Sequence, residues 1–177
     1  MGEDNMTDTD VLKGKKILIV DDEPDVLDVL EDLLDMCEID RAGNFDDAKE
    51  LLELQVFDVA ILDIMGVNGY GLLEIAKKKN IPALMLTAHA FTPENLTRSV
   101  KDGAASYIPK EEIADIADFI IDILKANQEG KSSWESWQAR FPHSYFERRW
   151  GATWKDAGEN FKNTLRDVIV ARNKPQK

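Results

Sequence analysis

Asp21, Asp22, Asp63, Thr87 and Lys110 bring together three carboxylates, a hydroxyl and an ammonium. That set suits a divalent cation and a phosphoryl group: a hard cation takes oxygen ligands, and a phosphoryl dianion is stabilised by a compact positive charge. Their positions add to this. Each follows a short apolar run, at residues 17–20, 59–62, 83–86 and 107–108. Runs of this length, bounded by turn residues, read as strands buried on both faces. In a parallel sheet the carboxyl ends of the strands share one edge, and ligands bind in the crevice there. One pocket would then hold all five side chains.

The segments between these strands have helical periodicity. After Asp21-Asp22-Glu23-Pro24, which suits a helix start, Val26, Leu27, Val29, Leu30, Leu33 and Leu34 form an inward face. A second strand is predicted near 38–41, where the apolar signal is poor, and a second helix over 44–54. The glycine-rich segment 66–71 reads as a loop, followed by a short helix over 72–79. Pro93 opens another helix ending near Gly103, and residues 111–127 close the unit with Ile113, Ile116, Ile120, Ile121 and Leu124 inside. Strands alternating with helices predict an α/β fold, a doubly wound parallel sheet of five strands covered on both faces.

The 177 residues suffice for one domain plus a small appendage, and 44% hydrophobic content supports a core. A lone cysteine, Cys37, excludes an intramolecular disulfide framework and reads as a small buried hydrophobe. The acidic, polar start has no apolar core of a signal peptide, and no run approaches the ~18 apolar residues of a membrane span. A soluble, cytoplasmic protein with no membrane partner is expected. The net charge of -12 is uneven: residues 131–177 hold 10 Lys+Arg against 5 Asp+Glu, leaving 12 basic and 29 acidic residues before them. All four tryptophans, Trp134, Trp137, Trp150 and Trp154, also lie in that last stretch. These shifts predict a disordered leader (1–14), an acidic α/β domain (15–127) and a basic, aromatic helical extension (128–177).

Residues 15–127 resemble a receiver domain of two-component response regulators, the CheY-like, flavodoxin-like fold. The acidic pair after strand one is matched by Asp21-Asp22, and the phosphoacceptor aspartate ending strand three by Asp63. Gly71 stands eight residues beyond it, Thr87-Ala88 end strand four, and Tyr107 precedes Lys110 by three. The resemblance implies a signalling protein, not an enzyme beyond its own phosphorylation and dephosphorylation. A histidine kinase or phosphotransfer protein would donate a phosphoryl group to Asp63. Mg²⁺ (or Mn²⁺) would bridge Asp22, Asp63 and the phosphoryl oxygens, with Asp21 acting through water and the Met65 backbone carbonyl as a further ligand. Lys110 would pair with the phosphoryl group, Thr87 would bond one of its oxygens, and Tyr107 would rotate into the space Thr87 leaves.

Separately, each residue has a plainer reading: helix caps for Asp21-Asp22, a turn for Asp63, a strand end for Thr87, a surface charge for Lys110. His89, two residues past Thr87, is either a modulator of acyl phosphate hydrolysis or an exposed loop histidine. Three departures from the family bear on loop geometry. Val67 stands where a proline is usual, the 16 residues from Gly71 to Thr87 predict a stubby third helix, and Glu111 rather than proline follows Lys110. A cis bond without proline costs ~3 kcal/mol, so trans geometry or strain is expected at Lys110-Glu111.

The extension resembles no output domain. Trp134, Trp137 and Phe141, then Phe146, Trp150 and Trp154, and then Phe161, Leu165, Val168 and Ile169 fall at helical spacing, punctuated by Pro142 and Gly151. Two or three amphipathic helices are predicted. The favoured reading is that the aromatics are core and the basic residues dock on the acidic domain or stay solvated. Two others remain: a nucleic-acid surface of aromatics with Arg140, Arg148, Arg149, Lys155, Lys162, Arg166 and Arg172, and a homodimer interface.

Overall fold

The computed structural model describes residues 7–88 and 91–173. Five parallel strands, β1 (Lys16–Val20), β2 (Glu38–Ala42), β3 (Val59–Asp63), β4 (Ala83–Thr87) and β5 (Ser106–Pro109), form one sheet in the order β2-β1-β3-β4-β5. The connecting helices are α2 (Pro24–Leu33), α3 (Phe45–Leu54), α4 (Gly69–Lys78) and α5 (Pro93–Lys101), with α6 (Ile116–Glu129) after a 3₁₀ turn at Lys110–Asp115. Right-handed crossovers reverse direction once, at β1, which puts α2 and α6 on one face and α3, α4 and α5 on the other. This is the doubly wound sheet that the alternation predicts. Every residue of β3 and β4 is buried, which accounts for their continuous apolar character. β2 is half exposed as an edge strand, so its apolar pattern is weak.

The expected leader differs from what is found. Its first six residues lie outside the described ones, but Asp8–Leu12 form a short helix, α1, whose Leu12 is fully buried. A leucine that reaches the core beside α6, and an ion pair from Asp8 to Lys125 at 2.8 Å, supply what a polar segment lacks on its own. The Cys37 thiol donates to the Leu12 carbonyl at 3.4 Å. Burial, then the charges of Asp35 and Asp58, push that thiol up to about 11, where it is a poor nucleophile.

The third crossover helix is not stubby. α4 has 10 residues, as many as α2 or α3, because it starts inside the glycine-rich segment rather than after it. Asn68 adopts a left-handed conformation (φ 52°), and its side chain accepts the Gly71 N–H at 3.3 Å. Gly69 lies so close to the end of β3 that a Cβ there would come within 2.3 Å of the Asp63 carbonyl oxygen. Glycine is required by contact, not by loop flexibility. Gly69→Ala should therefore lower stability by about 1–3 kcal/mol in urea titrations, as overpacking against backbone does; an unchanged midpoint would contradict that close approach.

Three helices follow the α/β unit: α7 (Trp134–Arg140), α8 (His143–Trp150) and α9 (Ala152–Asn173). α7 is hydrogen-bonded to β5, the strand at one end of the sheet order, and to the residues just before it, and all four β5 residues are buried. Trp134 Nε1 donates to the Ala104 carbonyl at 2.9 Å, Trp137 Nε1 to the Tyr107 carbonyl at 2.8 Å, and Ser133 Oγ to the Ala105 carbonyl. Trp134, Trp137, Phe141, Phe146, Trp154 and Phe161 are all buried, continuous with the core of the α/β unit. Arg140 forms a bidentate pair with Asp122 at 2.6 and 3.2 Å. The aromatics are therefore core, and part of the basic charge docks on the acidic unit. No helix among the described residues is long and apolar enough to cross a membrane.

Candidate functional site

Register places the site. Val20 pairs with Leu62, so Asp21 leaves β1 beside Asp63 at the end of β3. Asp63 pairs with Leu86 and Thr87 with Pro109, so Thr87 and Lys110 follow across the same carboxyl edge. The strand order reverses between β2, β1 and β3, and Asp21, Asp22 and Asp63 sit at that switch point.

Asp21 is fully buried and Asp63 nearly so, whereas Asp22 is exposed at the mouth. Oxygen atoms of all three lie within 4.8 Å of one another. Lys110 Nζ reaches Asp21 Oδ2 at 2.9 Å, Glu23 Oε2 at 3.5 Å and Asp63 Oδ1 at 3.6 Å. The Asp21 carboxylate also accepts the Glu23 N–H at 2.9 Å, and Asp63 Oδ2 accepts the Gly66 N–H at 3.3 Å. Asp22 lies directly over Gly66, where a Cβ would fall 2.2 Å from its carboxyl carbon.

One ammonium faces three carboxylates, with Asp22 a fourth in the cluster. Burial, then the Asp21 charge, push the Asp63 carboxyl up to about 6, against the pull of Lys110 and the Gly66 N–H. Burial also raises Asp21, despite its bond to Lys110. Burial works against the Lys110 ammonium, but its bond to Asp21 and the surrounding carboxylates outweigh it, so Lys110 stays firmly charged. An excess of negative charge among hard oxygen donors is the chemistry that a divalent cation relieves. The residues fit one.

Among the other predicted residues, Thr87 is buried at the end of β4. Met65 lies in the turn after β3 with its side chain 68% exposed. His89 lies outside the described residues. Tyr107 is fully enclosed, stacked on Phe91 with ring centroids 5.4 Å apart. Burial lifts its phenol far above the ordinary range. No peptide bond among the described residues is cis, so Lys110-Glu111 is trans.

Three participants escape the sequence reading. Glu23 is a third carboxylate on Lys110; its place in a helix start hides it among ordinary caps. Phe91 covers Tyr107, a contact that no periodicity signals. Glu111, visible only as a departure, receives both nitrogens of Arg149 at 3.0 and 2.7 Å.

With the sheet, its switch point and the acidic cluster located, likeness to known proteins can be weighed. The sequence profile of the response regulator receiver domain family matches residues 17–120. The chain belongs to this family. As a receiver of the two-component type, it is 36% identical over 108 residues to a "Probable transcriptional regulator ycf27" of Guillardia theta, covering 58% of this chain and 42% of that protein. It is 32% identical over 105 residues to the "Response regulator protein PilR" of Pseudomonas aeruginosa, covering 56% of this chain and 23% of that one. The match thus spans less than half the length of these curated relatives. Among solved structures, the CheY-like receiver domain protein of Methanospirillum hungatei JF-1 superposes with a TM-score of 0.61 at 28% identity, covering 66% of this chain and 98% of that one. The Francisella response regulator 1452 receiver domain gives a TM-score of 0.58 at 25% identity, covering 64% and 99%. The family match stops before α7, so the three last helices are an addition to the receiver.

Proposed function

We propose that this receiver accepts a phosphoryl group on Asp63 from the phosphohistidine of a histidine kinase or phosphotransfer protein. The observation that carries the reading is the buried Asp63 carboxylate, clustered with Asp21 and Asp22 and 3.6 Å from the Lys110 ammonium. An Asp63 oxygen attacks phosphorus, the P–N bond breaks as the O–P bond forms, and the imidazole leaves with the electron pair and takes up a proton. Lys110 balances charge on the transferred group. Water later hydrolyses the acyl phosphate to inorganic phosphate and the free carboxylate.

Asp21, Asp22, Asp63 and the Met65 carbonyl would hold Mg²⁺ or Mn²⁺, Asp21 through a water. The cation supplies Lewis acidity and relieves repulsion between carboxylate and phosphoryl oxygens. Thr87, at the end of the adjacent strand, offers a hydroxyl to the phosphoryl group, and Tyr107 with Phe91 forms the apolar backing of its loop.

For output, the arrangement of the tail favours a protein-facing role over a nucleic-acid one. Stacking on bases needs exposed rings, and Trp134, Trp137 and Trp154 are each 2% exposed. The Guillardia theta relative bears the name of a probable transcriptional regulator, but the family match ends before this tail.

Incubation with acetyl phosphate and Mg²⁺ should add the mass of one phosphoryl group, located by peptide mapping to the segment holding Asp63. Mass gain elsewhere, or none in wild type under conditions that label another receiver, would sink the reading.

A further inference from the structure

A cavity of about 430 Å³ opens where the C-terminal helices meet the segments that lead into β4 and β5, at the edge of the sheet opposite Asp63. Its volume falls within the about 300–1,000 Å³ usual for small-molecule sites. Pro82, Ile123, Ala126, Trp134 and Val168 give it an apolar floor. Its charged residues are all cations: Lys77 of α4, Lys131 after α6 and Arg172 of α9. Among the described residues no carboxylate lines it, although the chain carries 34 Asp+Glu against 22 Lys+Arg. These cations are poorly neutralised. Lys131 has a loose, exposed pair with Glu129 at 3.8 Å, and Arg172 bonds the neutral Asn127 Oδ1 at 3.4 Å. Neither Lys77 nor Arg172 pairs with a carboxylate among the described residues. The Lys77 stem lies along Gly103, where a Cβ would come within 3.0 Å of its Cδ and Cε.

We propose that this cavity binds a small organic anion, its apolar body on the floor and its carboxylate or phosphate head among Lys77, Lys131 and Arg172. The last turns of α4 and α9 favour positive charge, which accounts for Lys77 and Arg172 singly. It does not account for three cations from separate segments around one apolar cavity without an acid. The backbone acceptors nearby are already engaged, since the Ala104 and Ala105 carbonyls accept from Trp134 Nε1 and Ser133 Oγ. The buried Ser132 hydroxyl accepts the Trp134 N–H at 3.2 Å, and a hydroxyl that accepts still has a proton to donate. The lining therefore offers cations and a donor above an apolar surface. A guanidinium takes a carboxylate or phosphate through two parallel bonds, and the ammonium groups add point charges. Because α9 supplies Val168 and Arg172 and the α/β unit supplies Lys77, Pro82 and Ile123, the occupant would clasp the tail to the sheet. The inference does not depend on phosphoryl transfer to Asp63.

Calorimetric titration of the full chain in chelator, with 1-naphthyl phosphate and 1-naphthoate as probes, provides the test. At least one should bind with a single site per chain, about tenfold or more tightly than inorganic phosphate or neutral 1-naphthol. The tighter of the two tells whether the head is a phosphate or a carboxylate. Lys77→Gln and Arg172→Gln, both at exposed positions, should each weaken that binding about tenfold. Lys162→Gln, exposed on α9 away from the cavity, should leave it unchanged. Hydrogen exchange read by mass spectrometry should slow on binding in peptides covering 126–134 and 165–173, and not around Asp63. Inorganic phosphate binding as tightly as either naphthyl anion, an equal loss in Lys162→Gln, or protection around Asp63 instead of the cavity overturns the proposal. So does the absence of binding by both probes at millimolar concentration, which would leave the cations as partners of their helix ends alone.

Discussion

Asp63→Asn should yield a protein that takes up no phosphoryl group and yet, without metal, withstands more denaturant at neutral pH than the wild type. The two effects share one cause. Asp63 titrates near 6 when folded against 3.8 as a free side chain, because burial and then the Asp21 charge disfavour its ionised form. Between about pH 4 and pH 6 the folded chain keeps a proton that the unfolded chain has released. Stability therefore falls as pH rises through that window, and the deficit is fully present above it. A gap of about two pH units corresponds to about 3 kcal/mol at most, with the pull of Lys110 already counted and solvent at the mouth of the site screening part of it. A gain of about 2 kcal/mol for Asp63→Asn is expected at pH 7.5 in chelator, shrinking toward zero near pH 4. Chemical denaturation of both proteins at the two pH values measures it. Wild type being the more stable of the pair at pH 7.5 without metal would refute the account. Millimolar Mg²⁺ should stabilise the wild type and do little for the variant, since only a folded site that binds the ion gains from it.

Trp137→Ala should be the most damaging single substitution among the C-terminal helices, at about 4 kcal/mol. The indole is 2% exposed and lies among Trp134 at 5.1 Å, Phe141 at 5.0 Å, Phe146 at 5.7 Å and Phe161 at 5.9 Å, measured between ring centroids. Its removal empties the centre of that cluster and leaves the Tyr107 carbonyl without its indole donor. Trp137→Phe separates the two contributions: it keeps most of the packing and loses the hydrogen bond, so about 1–2 kcal/mol is expected. Urea titration followed by circular dichroism reads both. A loss under about 1 kcal/mol for the alanine variant would mean that α7 only rests against β5.

The strand ends were readable because a strand buried on both faces is apolar throughout, so the first polar residue marks where it reaches the edge. Asp21, Asp63 and Thr87 follow this rule, and Lys110 follows it one proline later. Where burial is one-sided the signal fades, as at β2, found with weak support over Glu38–Ala42. The start of α4 was misplaced because glycines that usually mark a loop are here required by the close approach of Gly69 to β3. Periodicity predicts two or three tail helices, and there are three, but it does not give their seat. Their partners are backbone carbonyls at Ala104, Ala105 and Tyr107, and a carbonyl has no letter in the sequence. Glu111 looked like a missing proline, since its meaning depends on Arg149, 38 residues away.

Sheets can grow sideways wherever a strand presents unpaired carbonyls, and α7 closes that route at β5. The opposite border, β2, carries Glu38, Asp40 and Arg41, charges that discourage a neighbour from stacking alongside. A chain cut after Gly130 would keep Asp63 and the acidic cluster but lose the indoles that cap the other border, uncovering Phe91 and the flank of Tyr107. Such a fragment would be a receiver prone to pair strand against strand with its own copies.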